Sequence, residues 1–227
     1  EVLLDQGSVE SWKSWHLDRK DWCLLKLPRQ SQPGYLERLQ RLTTLPLTGI
    51  VPVLEVGQAH GEDYVATGFV EGQPFATHPK TDRKRLVEIV HDAAVAVAGA
   101  HAAGIIHGDL RASSILIDRA GKIHVGDLGL ARAPGSPADD VRALAAMLYE
   151  MLADRSCPPA IASPRHDWPA RVDAEMQAVL TKALGPKPET RYAGARELAD
   201  DLKRWLGGKP VRARAKGLFG RLRDRLS

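Results

Sequence analysis

Apolar residues follow two rhythms along this chain. In the first third they come in short runs: Val2 to Leu4, Trp12 to Leu17 and Trp22 to Leu27, the last two separated by the polar turn Asp18-Arg19-Lys20-Asp21. Runs of this length bounded by turn residues predict three strands. Leu36, Leu39 and Leu42 then recur at helical spacing behind Pro33-Gly34, which predicts a helix over Tyr35 to Thr43. Val51 to Val56 and Tyr64 to Phe69 read as two more strands around a Gly/His/acid turn. From Lys84 to Ala103 the pattern becomes a long Ala/Val helix. Beyond it, Ile115 to Ile117 and the pair Ile123 and Val125 flank Arg119-Ala120-Gly121-Lys122 as a β-hairpin. Pro158 to Pro169 is Pro-rich and loop-like, and helices are expected over Val172 to Leu184 and Ala193 to Leu206, separated by Gly185-Pro186-Lys187-Pro188.

Composition changes this picture little, whereas charge changes it in one place. Hydrophobic content of 44% and charged content of 26% are ordinary for a globular domain, and 227 residues suffice for one large domain or two small lobes. Cys23 and Cys157 form neither a disulfide framework nor a zinc spacing, so a reducing, cytoplasmic setting is expected. The apolar run Ala93 to Ile106 is interrupted by His101 and too short to span a bilayer. No signal peptide is evident, and the chain opens on Glu1, which predicts a piece of a longer protein. Residues 209–227 hold seven Lys/Arg and one acid, Asp224, whereas residues 1–208 hold 25 basic and 27 acidic residues. The positive excess therefore belongs to the tail. Leu218, Phe219, Leu222 and Leu226 would share one helical face there, with Arg221, Arg223 and Arg225 around it. A solvated helix end, an anionic-membrane segment and a nucleic-acid contact are all open readings, the last resting on charge alone.

The chemistry concentrates in His107-Gly108-Asp109-Leu110-Arg111-Ala112-Ser113-Ser114 and, past the hairpin, Val125-Gly126-Asp127-Leu128-Gly129. A lone loop Asp is usually turn chemistry. This ordered pair, however, resembles the catalytic loop and metal-binding motif of protein kinases, and Cys23-Leu24-Leu25-Lys26 resembles that family's Val-Ala-Ile-Lys. Asp140-Val141-Arg142-Ala143-Leu144-Ala145 resembles the start of its central helix, and Glu189-Thr190-Arg191-Tyr192 a late segment of bacterial Ser/Thr kinases. The resemblance implies an α+β, bilobal protein-kinase-like fold with a small antiparallel-sheet lobe over 1–70, a helical lobe over 71–208 and a basic tail over 209–227. It implies ATP and Mg²⁺ as ligands. Lys26 would then pair with phosphates and with a helical carboxylate. Ungapped counting places that carboxylate at Arg38, which makes its neighbour Glu37 the candidate. Asp109 would be the catalytic base, His107 a structural residue, and Asp127 and Ser114 the metal positions. Gly7, Thr67, Phe69, Val70 and Leu116 would line the nucleotide, with Asp140 bracing the catalytic-loop backbone.

The same comparison exposes losses. Counting back from Lys26, only Gly7 remains of the glycine loop, with Val9 and Trp12 at glycine positions and Glu10 bringing negative charge. Leu24 stands where the family keeps a small Ala. Gly108 replaces an Arg that reads an activation-loop phosphate, and Ser114 replaces the Asn that holds a second Mg²⁺. Only twelve residues separate Asp127 from Asp140, and Ala133-Pro134-Gly135 is a chance echo of Ala-Pro-Glu. Without that Glu, Arg191 needs another partner. These departures predict a pseudokinase, a regulatory or scaffolding module with weak or absent ATP binding and a protein partner. An active protein or small-molecule kinase is the competing expectation, supported by Lys26, Asp109 and Asp127.

Overall fold

The computed structural model describes residues 2–5, 9–28, 35–131, 135–161 and 166–213. Three strands open it: β1 (Val2–Asp5), β2 (Val9–His16) and β3 (Asp21–Pro28). Helix α1 (Tyr35–Leu42) follows, then β4 (Val53–Ala59) and β5 (Glu62–Gly68). Together the five strands form one antiparallel sheet in the order β1-β2-β3-β5-β4. The predicted elements are all present, with ends displaced by a few residues.

Alternation along a strand decides what this sheet offers to each side. Ser11 lies opposite Lys26 in the β2–β3 register, and Trp12 lies opposite Leu25. Ser11, Leu24 and Lys26 face a cavity, so Trp12 and Leu25 turn to the other side of the sheet. Trp12, expected at a glycine position of the nucleotide loop, thus keeps its side chain out of the cavity. The register, invisible to residue counting, gives that place to Ser11.

A short strand not foreseen from the sequence, β6 (Gly72–Pro74), pairs with β7 (Ile115–Asp118), which pairs with β8 (Ile123–Val125). Gly72 is required by close approach, because a Cβ there would sit 2.1 Å from the Ile117 carbonyl oxygen. The hairpin turn is fastened by Asp118, whose carboxylate accepts from the backbone N–H groups of Ala120 and Lys122 and contacts His124 at 2.9 Å. Val51 N–H donates to the Val125 carbonyl and Val125 N–H to that of Gly49, both at 2.8 Å. These bonds tie the chain just before β4 to β8.

The remainder is helical. α2 (Arg83–Ala102) starts at Asp82, which caps Arg85 N–H, and buries Leu86, Val87, Ile89, Val90, Ala93, Ala94, Ala96, Val97 and Ala100. Apolar residues on nearly every side explain why this helix is central. It packs against α3 (Pro137–Ala153) and α5 (Ala195–Leu206), while α4 (Ala174–Ala183) closes against α3 and α5. α3 begins with a capping box: the Ser136 hydroxyl accepts from Asp139 N–H, and the Asp139 carboxylate accepts from Ser136 N–H. Tyr149, Tyr192 and Phe75 are the bulkiest fully buried side chains. Among the described residues no helix is long and apolar enough to cross a membrane.

Candidate functional site

A cavity of about 400 Å³ opens between the five-stranded sheet and the β6-β7-β8 sheet. Leu24, Val51, Val70 and Leu116 make its apolar wall, and Lys26, Thr67, Phe69, Asp109, Ser114 and Asp127 line it too. Gly7 lies outside the described residues. Arg111, which stands where the resemblance has a Lys, lines the cavity too. Ser11 and Leu130 also line it and were not singled out in advance; Ser11 needed the strand register.

Asp127 follows β8 with φ +61°, a left-handed conformation that Asp tolerates better than most residues. Its carboxylate accepts directly from the ammonium of Lys26 on β3. Burial pushes this carboxyl up, but the Lys26 charge and hydrogen bond, helped by His107 and Ser114, outweigh it and hold Asp127 below the usual carboxylate range.

Lys26 is therefore engaged by Asp127 and not by Glu37, which is exposed on α1. Leu39 and Leu42 bury one face of that eight-residue helix. Beside them, Arg38 reaches the loop after Asp127 and donates to the carbonyls of Gly129 and Ala131 at 3.2 and 3.3 Å. Position 38 is the one that faces the loop, as ungapped counting indicated, but a guanidinium stands there where a carboxylate was expected. With no carboxylate offered from α1, the Lys26 ammonium takes the nearest one, Asp127.

Asp109 has a different environment. It is about half exposed, and Arg111 donates to both of its oxygens. The hydrogen bond to Asp109 is the main cause that raises the Arg111 pKa. The loop beneath is rigidly held. Fully buried His107 donates from Nε2 to the Gly126 carbonyl at 2.8 Å and accepts Asp109 N–H at Nδ1, which ties the loop to the residue before Asp127. Buried Asp140 at the start of α3 accepts from His107 N–H, Gly108 N–H and His101 Nε2, each at 2.9 Å. Burial pushes its carboxyl up, and these three bonds more than compensate, leaving its pKa lowered.

Gly108 has φ +78°, and a Cβ on Gly135 would lie 3.2 Å from the Gly108 Cα. The short Asp127–Asp140 connection thus returns against the catalytic loop where a bulky side chain would obstruct it. Arg191 donates from Nε to the Gly185 carbonyl at 2.8 Å, and its charge is met on the same connection by Asp139, 3.9 Å from Nη1.

A lysine on β3, an aspartate after a central hairpin and a second aspartate on a loop braced from the next helix define a protein-kinase-like cleft. The chain belongs to this family: residues 29–150 match the family model for protein tyrosine and serine/threonine kinases. The fold is accordingly bilobal and kinase-like, a small antiparallel-sheet part followed by a helical part with a short connection from Asp127 to Asp140. Serine/threonine-protein kinase PknB of Mycobacterium tuberculosis is 28% identical over 227 aligned residues, covering 77% of this chain and 36% of that protein. A probable serine/threonine-protein kinase of Streptomyces coelicolor is 26% identical, covering 81% of this chain and 35% of the relative. Tyrosine-protein kinase MasK of Myxococcus xanthus is 27% identical, with 75% and 36% covered. The chain thus spans about a third of the length of the curated relatives it matches.

Kinase relatives imply, in general terms, ATP and Mg²⁺ as the ligands of such a cleft. Mg²⁺ in such clefts takes one or two protein carboxylates, with phosphates and water completing about six oxygens. Asp127, with the Ser114 hydroxyl beside it, would be the residue to hold it, and here its carboxylate is paired with Lys26 while Asp109 is paired with Arg111. Among the described residues no group of three or more His, Cys, Asp or Glu is placed to hold a metal.

Proposed function

We propose that this domain is a pseudokinase, a regulatory or scaffolding module that uses a kinase shape to engage a protein partner and transfers little or no phosphate. One observation carries the reading: each carboxylate that kinase chemistry depends on is already neutralised by a cation of the same chain, Asp127 by Lys26 and Asp109 by Arg111. Phosphoryl transfer is mainly positioning plus charge stabilisation, and here Lys26 is positioned by Asp127 in place of a helical carboxylate. The connection of twelve residues between Asp127 and Asp140 adds to this, because it leaves little chain for a peptide-docking platform. ATP binding is expected to be weak or absent. The test is incorporation of labelled phosphate from ATP, with Mg²⁺ or Mn²⁺, into the protein and a generic substrate. No incorporation above the Asp109→Asn variant is expected. Robust incorporation abolished by Asp109→Asn would overturn the reading in favour of an active kinase, since Lys26, Asp109 and Asp127 do share one cavity.

A second reading concerns the basic tail, for which an anionic membrane surface is proposed as the partner. Residues 209–213 are fastened to the helical part. Val211 N–H donates to Glu175, the N–H groups of Arg212 and Ala213 donate to buried Asp201, and Arg204 donates to the Pro210 carbonyl. Lys203, Arg204, Lys209 and Arg212 gather around one recess there with Asp200 as the acid among them. Residues 214–227, with the proposed apolar face, lie outside the described residues. Each basic residue near an anionic surface is worth about 1 kcal/mol before ordering costs. Liposome co-sedimentation should require anionic lipid, weaken with salt and weaken further with Phe219→Asp. Unchanged binding after removal of 209–227 would sink this reading.

A further inference from the structure

We propose that the basic recess at the end of α5 is a site for the phosphomonoester headgroup of an anionic membrane lipid. This rests on the membrane reading of the tail and names the headgroup that the folded part takes. Asp200, Lys203, Arg204 and Gly207 fall at i, i+3, i+4 and i+7, so they share one face of α5 and its C-cap. The chain then turns back over that face. Lys209 N–H donates to the Arg204 carbonyl at 2.8 Å, Arg204 Nε to the Pro210 carbonyl at 2.6 Å, and Arg212 N–H to buried Asp201 at 2.7 Å. These bonds set Lys209 and Arg212 beside Lys203 and Arg204 around a recess of about 370 Å³. Cations held in place this way lose less freedom on binding than those of a loose segment.

The recess holds four cations and one acid, a net charge of +3. Asp200 is met by Arg212 at 3.8 Å, whereas among the described residues Lys203 and Lys209 have no ion-pair partner. Two spare ammonium groups match a phosphomonoester, which carries about −1.5 to −2 near neutral pH, better than a phosphodiester headgroup. A helix C-terminus repels anions, but this one is covered. The carbonyls of Lys203, Arg204 and Trp205 accept from the N–H groups of Gly207, Lys209 and Gly208. Two observations favour a lipid over a free phosphate. A second recess shares Lys209 and is lined by Trp205 and Leu206, and Trp is a side chain that settles at membrane–water boundaries. The chain also continues from Ala213, fastened on this face, into 214–227, which adds five basic residues against Asp224.

Co-sedimentation of the full chain tests this with vesicles of phosphatidylcholine carrying either phosphatidate or phosphatidylserine, matched in surface potential. The phosphatidate vesicles should be bound about fivefold more tightly, the gain expected from about one further charge contact. Lys203→Ala with Lys209→Ala should remove this preference and leave most of the phosphatidylserine binding, which the rest of the tail supplies. Lys187→Ala with Arg196→Ala removes the same charge elsewhere on the helical part and should keep the preference. All four side chains are exposed, so both double variants fold. Equal binding of the parent to the two vesicles overturns the inference. A preference that survives without Lys203 and Lys209, or vanishes in the control variant, overturns it as well. So does loss of the preference in millimolar glycerol 3-phosphate, because the recess would then take a free phosphomonoester. In each of these cases binding to anionic vesicles persists and the membrane reading stands. No binding to either vesicle sinks both.

Discussion

The two aspartates of the cavity share one space and are held in opposite ways. Asp127 is partly buried and secured from a distance: its cation, Lys26, lies 101 residues earlier, and the loop that follows is pinned by Arg38 from α1. Asp109 is half exposed and satisfied by Arg111, two residues along the same loop. The long-range pair depends on the sheet and the hairpin being correctly assembled, whereas the local pair needs only its own turn. A charge removed from the first should therefore be felt by the whole fold, and one removed from the second hardly at all.

The largest expected effect comes from the brace beneath Asp109. Asp140→Ala leaves the N–H groups of His107 and Gly108 without their acceptor, and should cost about 3 kcal/mol by urea denaturation. A loss below about 1 kcal/mol would mean that the Asp109 loop holds itself without this long-range brace, which would sharpen the contrast.

Next is Lys26→Met, which strips Asp127 of its cation. Breaking a buried pair is worth several kcal/mol, and the partial exposure of Asp127 reduces this to about 2 kcal/mol at pH 7. Its pH dependence has a definite sign. The folded-state pKa of Asp127 is lowered, so the pair's stabilisation is complete above the unfolded value near ~4 and is lost as pH falls through the folded value. The gap between parent and variant should close on acidification below about pH 4, and a gap unchanged down to pH 2 would show that packing, not charge, is lost.

Arg38→Ala should cost about 1 kcal/mol. Its clearer signature is faster hydrogen exchange at the amides of 129–131, with little change in 107–109. Equal acceleration in both segments would merge the two regions that the contrast separates. Smallest is Arg111→Ala, expected within about 0.5 kcal/mol of the parent because its pair with Asp109 faces solvent. A loss comparable to that of Lys26→Met would show that exposure is not what distinguishes the two aspartates.

The sequence by itself determined the elements and the family. Periodicity placed the strands, α2 and the hairpin, since apolar spacing is set locally by residues that must face a core. The motif residues Lys26, Asp109, Ser114 and Asp127, with Thr67, Phe69, Val70 and Leu116, all reached the one cavity. What only the tertiary structure decided is which charge meets which. Glu37 and Arg38 are neighbours on a helix about 100° apart around its axis, and packing of Leu39 and Leu42 chose Arg38 to face the loop. The exchange of a Lys–Glu pair for Lys26–Asp127 follows from that choice. Trp12 and Ser11 likewise differ by one residue, and the β2–β3 register, which counting from Lys26 could not see, put Ser11 in the cavity. Arg191 found Asp139, and Gly108 found Gly135, because the short connection returns over the catalytic loop. Residue types fix what can pair; ion pairs act over a few ångströms, so the three-dimensional path of the chain fixes what does.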